Sequence, residues 1–413
     1  MNKFIFLFTC VLFILISSDW INENIIYIFP TGIRHIILFL TFFITFLFSK
    51  NINISLSKRN LYFFLSLILI ILISFNSEPP FLSFILSFFS FFLFIVIFYL
   101  GQGIKVSMLR FNQLLISFII LILLLSIVPL SQALLNRKIL RFNFGFFREV
   151  GAFGSFMNIA CVFCLYLYKQ TKRNFFLYLS IYFSGIIIYT ILKKVIISNI
   201  FVWVIYLLTN GNSTKLIKTF YLGLVFIFVV LLLNNSSIND NITQNIDYFN
   251  DNGAEGHVRI AMYLASFKIA IKNFPFGSGL GTFGSLGSIF GHYSPLYYTY
   301  GVNTIGSNDV SSVINGHHTL LDTFWPHIVA ELGIIGTFLY TYLYIFPILY
   351  LRKYRNNFTK GYKNLYFLIF CLIMCSIWEG FTLYTPEIPV FIFINFGITS
   401  IGIAAFKKTS III

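Results

Sequence analysis

The sequence predicts an all-α, polytopic membrane protein with about twelve transmembrane helices and one long loop on the outer side of the membrane. Three observations favour this fold class: the composition, the lengths of the apolar runs and the distribution of charge. Of the 413 residues, 58% are hydrophobic, and the mean hydropathy is +0.88. This composition is typical of a chain that lies mostly inside a bilayer.

The apolar runs have the length that a membrane crossing requires. A helix of about 17 to 25 apolar residues crosses a hydrocarbon core of roughly 30 Å. Twelve candidate segments follow one another at residues 3–18, 33–48, 61–75, 81–100, 111–130, 150–168, 175–192, 195–209, 217–233, 324–350, 364–380 and 388–406. We therefore expect nine transmembrane helices in residues 1–234, a large outer loop with a short amphipathic helix in 235–323, and three helices in 324–413.

The charged residues predict the same topology. With both termini in the cytoplasm, 18 of the 28 Lys and Arg residues fall on the inner side and all 13 Asp and Glu residues fall on the outer side. Short loops rich in Lys and Arg stay in the cytoplasm, so this sorting supports the predicted crossings. It also explains most of the net charge of +15. A nucleic-acid partner is not expected, because the basic residues are spread over many loops.

The sequence predicts no metal and no cofactor. All five cysteines lie within predicted spans, where a buried thiol is typically a small packing residue. The histidines and carboxylates of the outer loop lack the HExxH-type spacing of a zinc site. The glycine-rich run at 276–284 lacks the preceding strand and following helix that a dinucleotide site requires.

Ten basic residues fall on the outer side, against the insertion bias: Arg34, Arg137, Lys138, Arg141, Arg148, Lys193, Lys194, Arg259, Lys268 and Lys272. An anionic ligand at the outer membrane surface would explain them, because guanidinium and ammonium groups bind phosphate oxygens. The alternative is pairing with acids or lipid phosphates, which we expect for Lys138, Lys268 and Lys272. Arg148 and Arg259 lie within longer motifs and are candidates for ligand binding.

The outer loop contains a predicted helix and a glycine-rich turn. Residues 257–273 have the apolar periodicity of an amphipathic helix, and Pro275 ends it. In the turn that follows, Gly279 and Gly281 are candidate substrate contacts, because glycine permits a close approach of the backbone. Four tyrosines then lie between residues 293 and 300. They form either a membrane-interface belt or a platform for sugar rings, and Tyr298 is our candidate sugar contact.

Side chains suited to acid–base chemistry gather where the loop leads into the next predicted span. His317, His318 and Asp322 precede this span, and His327 and Glu331 share a helix face because they are four residues apart. A histidine or carboxylate at a membrane interface is suited to accept a proton from a sugar hydroxyl.

Three stretches resemble the O-antigen polymerases and O-antigen ligases, bacterial inner-membrane enzymes of surface polysaccharide assembly. Residues 259–284 are similar to the family's Arg-led amphipathic helix with a glycine-rich turn at its end. Ala330–Gly336 is similar to the Glu-x-Gly start of a late span, and Arg148–Phe153 to an Arg-x-x-Gly-x-Phe opening of a middle span. The long external loop between two late helices matches as well.

The resemblance implies a glycosyltransferase that moves a growing glycan from undecaprenyl pyrophosphate to a lipid-linked repeat unit at the periplasmic face of the inner membrane. It implies membrane lipids and a chain-length regulator protein as partners. The implied catalytic residues are Arg148 and Arg259 at the pyrophosphate, with His318 or Asp322 as the base. The implied substrate-binding residues are Lys193, Lys194, Gly279, Gly281, Tyr298, His327 and Glu331.

Departures from the family pattern favour a polymerase over a ligase. Asp322 stands where ligases typically have a His-Asn-like pair, and Lys193–Lys194 replaces a Ser-Arg pair. The Pro-Asn that usually follows the middle Arg motif is missing; only Asn158 lies nearby. A ligase acting on the lipid A core and a transporter of lipid-linked oligosaccharides are the alternatives. Many transporters have an internal twofold repeat and charged residues well inside their spans, and neither is evident in this sequence.

Overall fold

A computed structural model describes residues 3–24, 31–48, 58–74, 80–136, 150–190, 192–209, 258–304, 308–311, 320, 323–352, 360–381 and 388–410. Helices make up 87% of the structure, and none of the described residues forms a strand. The predicted all-α class is therefore confirmed for this part of the chain.

The helices are numbered in chain order. They are α1 (Lys3–Asn24), α2 (Thr31–Phe48), α3 (Lys58–Ser74), α4 (Phe81–Gly103), α5 (Met108–Asn136), α6 (Val150–Thr171), α7 (Asn174–Tyr189), α8 (Lys193–Thr209), α9 (Val258–Lys272), α10 (Pro295–Thr299), α11 (Trp325–Tyr344), α12 (Phe346–Arg352), α13 (Lys360–Gly380), α14 (Pro389–Ile392) and α15 (Thr399–Ser410). Short π-helices lie at Gly287–Gly291 and Phe393–Ile398, and a 3₁₀ turn lies at Val302–Thr304.

Every predicted span coincides with a helix except 217–233, which lies outside the described residues together with the start of the outer loop. Six described stretches are long and apolar enough to cross a membrane: Phe81–Gly103, Met108–Ser131, Gly151–Thr171, Trp325–Arg352, Gly361–Gly380 and Pro389–Lys407. Shorter apolar stretches lie in α1, α2 and α7. These helices support a membrane protein, whereas the number of twelve crossings and their orientation stay predictions.

The long helices pack around α4 and α13. Helix α4 contacts α2, α15 and the π-helix Gly287–Gly291, whereas α13 contacts α6, α8 and α15. Phe94 of α4 packs against Tyr340 and Tyr344 of α11, with ring centroids 5.5 and 5.4 Å apart, and against Phe396 at 4.6 Å. Aromatic packing of this kind fixes α4 and α11 relative to one another.

The helix predicted at 257–273 is confirmed as α9, which packs along α11. Its buried face carries Met262, Ala265 and Ile269, which join a small second core with Phe283 of the glycine-rich turn. The opposite face exposes Phe267 and Ile271. Its exposed face therefore combines apolar side chains with the cations Arg259, Lys268 and Lys272.

Candidate functional site

Helix α11 is kinked at Gly333, within a stretch long enough to cross a membrane. Gly333 has φ 65° and ψ −170°, which is outside the helical range. A kink removes helical donors from the carbonyls of the preceding turn, and buried carbonyls need other partners. The N–H of Ser278 donates to Ala330 O at 2.9 Å, and the N–H of Gly279 donates to Glu331 O at 3.0 Å. The glycine-rich turn thus supplies hydrogen-bond donors to two carbonyls that precede the kink.

This contact requires glycine at Gly277. Its φ is +76°, and a Cβ at this position would lie 2.6 Å from Ala330 O and 2.7 Å from Glu331 O. Both distances are far below van der Waals contact, so a side chain would push the turn away from α11. Two of the motifs that carry the family resemblance therefore meet, because the turn within 259–284 packs on the Ala330–Gly336 stretch.

The side chain of Glu331 in α11 binds the glycine-rich turn through hydrogen bonds. The side chain is fully buried, and its Oε1 accepts hydrogen bonds from Phe283 N at 2.9 Å and from Ser285 Oγ at 2.6 Å. A buried carboxylate is costly unless hydrogen bonds or charges stabilise it. These two bonds explain why an acid is tolerated at this position. The predicted role of Glu331 in substrate binding stays a prediction.

His327 lies one helical turn before Glu331 and is also fully buried. Its ring stacks on Phe91 of α4, with centroids 5.3 Å apart, and meets the edge of Phe324 at 4.9 Å. A Cβ on Gly284 would lie 2.9 Å from His327 Cβ. His327 therefore fills the space between α4 and the glycine-rich turn.

The turn also packs against the first turns of α4. Ser285 Oγ and Ser87 Oγ are 2.8 Å apart, and Gly287 N donates to Ser87 Oγ at 3.2 Å. A Cβ on Gly281 would lie 2.8 Å from the Ser83 carbonyl oxygen. Gly279 and Gly281, both predicted substrate contacts, are buried. In this structure they form the junction between α4 and α11.

The tyrosines divide into buried and exposed members. Tyr297 is fully buried, and its hydroxyl accepts from Gly284 N at 2.8 Å and pairs with Ser288 Oγ at 2.8 Å. Burial raises the pKa of Tyr297 well above its ordinary value. Tyr298 is 57% exposed and lies beside Tyr293, with ring centroids 5.5 Å apart. Tyr298 is thus accessible to a ligand.

Three donors from two other helices meet the end of α13. Trp325 Nε1 donates to Ile377 O at 3.1 Å, Phe324 N donates to Gly380 O at 3.0 Å, and Tyr263 Oη donates to Phe381 O at 2.9 Å. The start of α11 and the middle of α9 are thereby fixed to the last turn of α13.

Two of the predicted outer cations lie at this helix end. The indole N–H of Trp378 donates to Lys194 O at 3.1 Å, and the charge of Lys194 acts on the Glu379 carboxylate. On the other side, burial raises the pKa of Tyr263, and the charge of Arg259 one turn away opposes this rise. Lys194 therefore contacts the 378–381 segment directly. Arg259 lies one helical turn before Tyr263, which contacts the same segment.

The other predicted site residues fall into two groups. Lys193 is exposed at the start of α8, next to Lys194. Arg148, His318 and Asp322 lie outside the described residues, so the pyrophosphate role of Arg148 and the identity of the base stay predictions. Among the residues that the structure describes, no group of three or more His, Cys, Asp or Glu side chains is arranged to hold a metal ion.

Sequence analysis missed a buried polar cluster between α6, α8 and α13. Glu379 is 4% exposed, and Asn158, Ser198 and Asn199 lie beside it or beside one another. Glu379 is near the end of an apolar run, and no motif in the sequence surrounds it. One signal for this cluster was present in the sequence: Ser198 and Asn199 follow Lys194 by about one helical turn within an apolar run.

No protein family model matches the chain, and no curated protein is similar to it in sequence. The resemblance to the O-antigen polymerases and ligases therefore rests on the motifs alone.

Proposed function

We propose that the chain is an O-antigen polymerase, a glycosyltransferase of the inner membrane. It moves a growing glycan from undecaprenyl pyrophosphate to a lipid-linked repeat unit at the periplasmic face of that membrane. One observation carries the proposal. Lys194 and Arg259, cations that the charge distribution predicts on the outer side, belong to two helices, α8 and α9, that both contact the same end of α13. A lipid pyrophosphate is an anionic ligand with the charge and the location that such a pair suits.

The leaving group sets the main chemical demand. During transfer the bond between the donor sugar's anomeric carbon and the pyrophosphate oxygen breaks, and the oxygen of the acceptor hydroxyl bonds to that carbon. Negative charge develops on the pyrophosphate, and cations held in place before the reaction stabilise it. Arg259 supplies a planar fork for two phosphate oxygens, and Lys194 a compact charge. The hydroxyl proton passes to His318 or Asp322, the predicted bases.

The glycine-rich turn supports the proposal by its rigidity. It is tied to α11 through Ser278 and Gly279 and to α4 through Ser285, and it follows α9, which carries Arg259. Catalytic groups act best when the surrounding structure holds them in place. The turn therefore fixes the C-terminal end of α9, the helix that carries Arg259 in its first turn.

Exposed aromatic surface supports a glycan ligand. Tyr298 projects from α10 beside Tyr293, and rings of this type present flat apolar faces together with a hydroxyl. A growing polysaccharide needs a surface that binds successive sugars. An aromatic face provides one, because stacking on a ring does not require a specific hydrogen bond to each sugar hydroxyl.

The proposal is tested by the length of surface polysaccharide in cells that lack this protein and in the same cells after complementation. Lipid A core that carries a single repeat unit in the deletion strain, with long chains restored by complementation, is the expected result. Loss of all glycan from the core, with long polymer still on its lipid carrier, would instead identify a ligase. An unchanged ladder would overturn the glycan assignment.

A further inference from the structure

Glu379 is a buried carboxylate within a helix that is long and apolar enough to cross a membrane. It is 4% exposed, in the last turn of α13. Ionisable groups within membrane-spanning helices are costly, and those that persist usually serve a function and have a partner. The residues around Glu379 suggest a partner, Lys194, and through it a function.

A chain of side-chain hydrogen bonds leads from α8 and α6 toward the carboxylate. Asn199 Nδ2 donates to Asn158 Oδ1 at 3.1 Å, and Asn158 Nδ2 donates to Ser198 Oγ at 2.8 Å. Asn158 and Ser198 both lie beside the Glu379 carboxyl group, as does Ser155. The acid therefore lies next to a hydrogen-bonded polar network that joins α6 to α8, rather than in a purely apolar environment.

Two consecutive residues of α13, Trp378 and Glu379, lie close to Lys194. Trp378 Nε1 donates to the Lys194 carbonyl oxygen at 3.1 Å, which fixes the backbone at the start of α8. The Glu379 carboxylate interacts with the Lys194 charge. A lysine side chain has several rotatable bonds, and an acid at a fixed position restricts where its ammonium group lies.

We propose that Glu379 is a positioning residue, which holds the Lys194 ammonium where the pyrophosphate of the lipid-linked substrate binds. This inference rests on the proposed function. An ammonium group has three N–H donors, so Lys194 bonds to the Glu379 carboxylate and to phosphate oxygens at the same time. The acid keeps the lysine charged and oriented before the substrate arrives, and it acts on the substrate only through Lys194.

Binding of undecaprenyl pyrophosphate to the purified full-length protein in detergent tests the inference. The variants are Lys194→Met, Glu379→Gln and the double variant, with Ser376→Ala as the matched control. Ser376 is also buried in α13, but it bonds to Tyr344 Oη at 2.6 Å instead of to the Lys194 cluster. Thermal unfolding of each variant without ligand identifies any general loss of structure.

We expect Lys194→Met to weaken binding by about tenfold or more, as loss of a charge-assisted bond does. Glu379→Gln should weaken it several-fold, and the double variant should bind no more weakly than Lys194→Met, because the acid acts through the lysine. Ser376→Ala should bind like the wild type. Glu379→Asp, which keeps the charge, should restore part of the affinity lost in Glu379→Gln.

Different outcomes overturn different claims. Wild-type affinity in Glu379→Gln, or losses that multiply in the double variant, would overturn the positioning role and leave the pyrophosphate site intact. Wild-type affinity in Lys194→Met would overturn both the inference and the assignment of Lys194 to the pyrophosphate. Should Glu379→Gln fail to accumulate, Ser198→Ala replaces it in the same cycle, with the same expected dependence on Lys194.

Discussion

Gly277 and Gly333 meet backbone to backbone, and neither position has room for a Cβ. Gly277 begins the glycine-rich turn, whereas Gly333 forms the kink of α11, and both have positive φ, +76° and +65°. The hydrogen bonds from Ser278 and Gly279 to the carbonyls before the kink follow directly from this approach. The kink and the turn therefore form one structural unit, which links the segment after α9 to a helix long and apolar enough to cross a membrane.

Gly277→Ala should separate the turn from α11. The new Cβ would overlap with the backbone of α11 in addition to straining a positive φ, which alone costs about 1–2 kcal/mol. Gly301→Ala is the matched control, because Gly301 has φ +67° with no atom within 4 Å of an added Cβ. Amide hydrogen exchange of the turn should accelerate strongly in Gly277→Ala and little in Gly301→Ala. Equal acceleration in the two variants would show that packing against α11 contributes nothing.

Glu331→Ala should free the turn by removing its anchor. The change deletes the acceptor for Phe283 N and Ser285 Oγ, and a buried donor left without its partner costs about 1–3 kcal/mol. Glu331→Gln keeps an Oε1 acceptor at the same position and should cost less. Limited proteolysis and thermal unfolding in detergent rank the stability of the wild type and the two variants. If Glu331→Gln is as unstable as Glu331→Ala, the charge and not the acceptor position is what matters.

Stability of the turn should fall at alkaline pH through Tyr297. Burial raises the pKa of this phenol in the folded protein, whereas an unfolded tyrosine titrates near pH 10. The unfolded state therefore loses its proton first, and the stabilisation, complete below about pH 10, declines as pH rises above that value. Hydrogen exchange of Gly284 in wild type and Tyr297→Phe should differ most at neutral pH and converge above pH 10. A pH-independent difference would contradict this linkage.

Tyr298→Ala should weaken glycan binding without affecting the fold. Tyr298 is largely exposed, so truncation leaves the core intact. Loss of an aromatic contact worth about 0.5–1.5 kcal/mol corresponds to a KM increase of roughly three- to tenfold. Tyr298→Phe keeps the ring face and should behave like the wild type. Steady-state elongation kinetics of the two variants distinguish a sugar platform from a membrane-interface residue, for which KM would not change.

The sequence was sufficient to predict the described helices, because apolar runs are local signals. It also identified the glycine-rich turn and the Ala330–Gly336 stretch separately. It did not reveal that they meet, because the contact depends on non-helical geometry at Gly333, and a glycine in an apolar helix is compatible with a straight helix as well.

Burial was the property that the sequence did not reveal for the polar residues. His327 and Glu331 were correctly placed on one helix face, but their position beneath the turn follows from how α4 and α11 pack. Glu379 was missed for the same reason, since its environment is made by α6 and α8. Side chains supplied by distant segments leave no spacing pattern along the chain.

Polymerisation by the purified protein is the most direct test of the central claim. The protein in detergent is supplied with a repeat unit linked to undecaprenyl pyrophosphate, and product length is read on a gel for wild type, Arg259→Ala and Lys272→Ala. Lys272 is an exposed cation on the same helix as Arg259 and serves as the control. We predict a ladder of long products for wild type and Lys272→Ala, and a rate lowered by about a hundredfold or more in Arg259→Ala. A normal ladder from Arg259→Ala, or no elongation by the wild-type protein, would contradict the account.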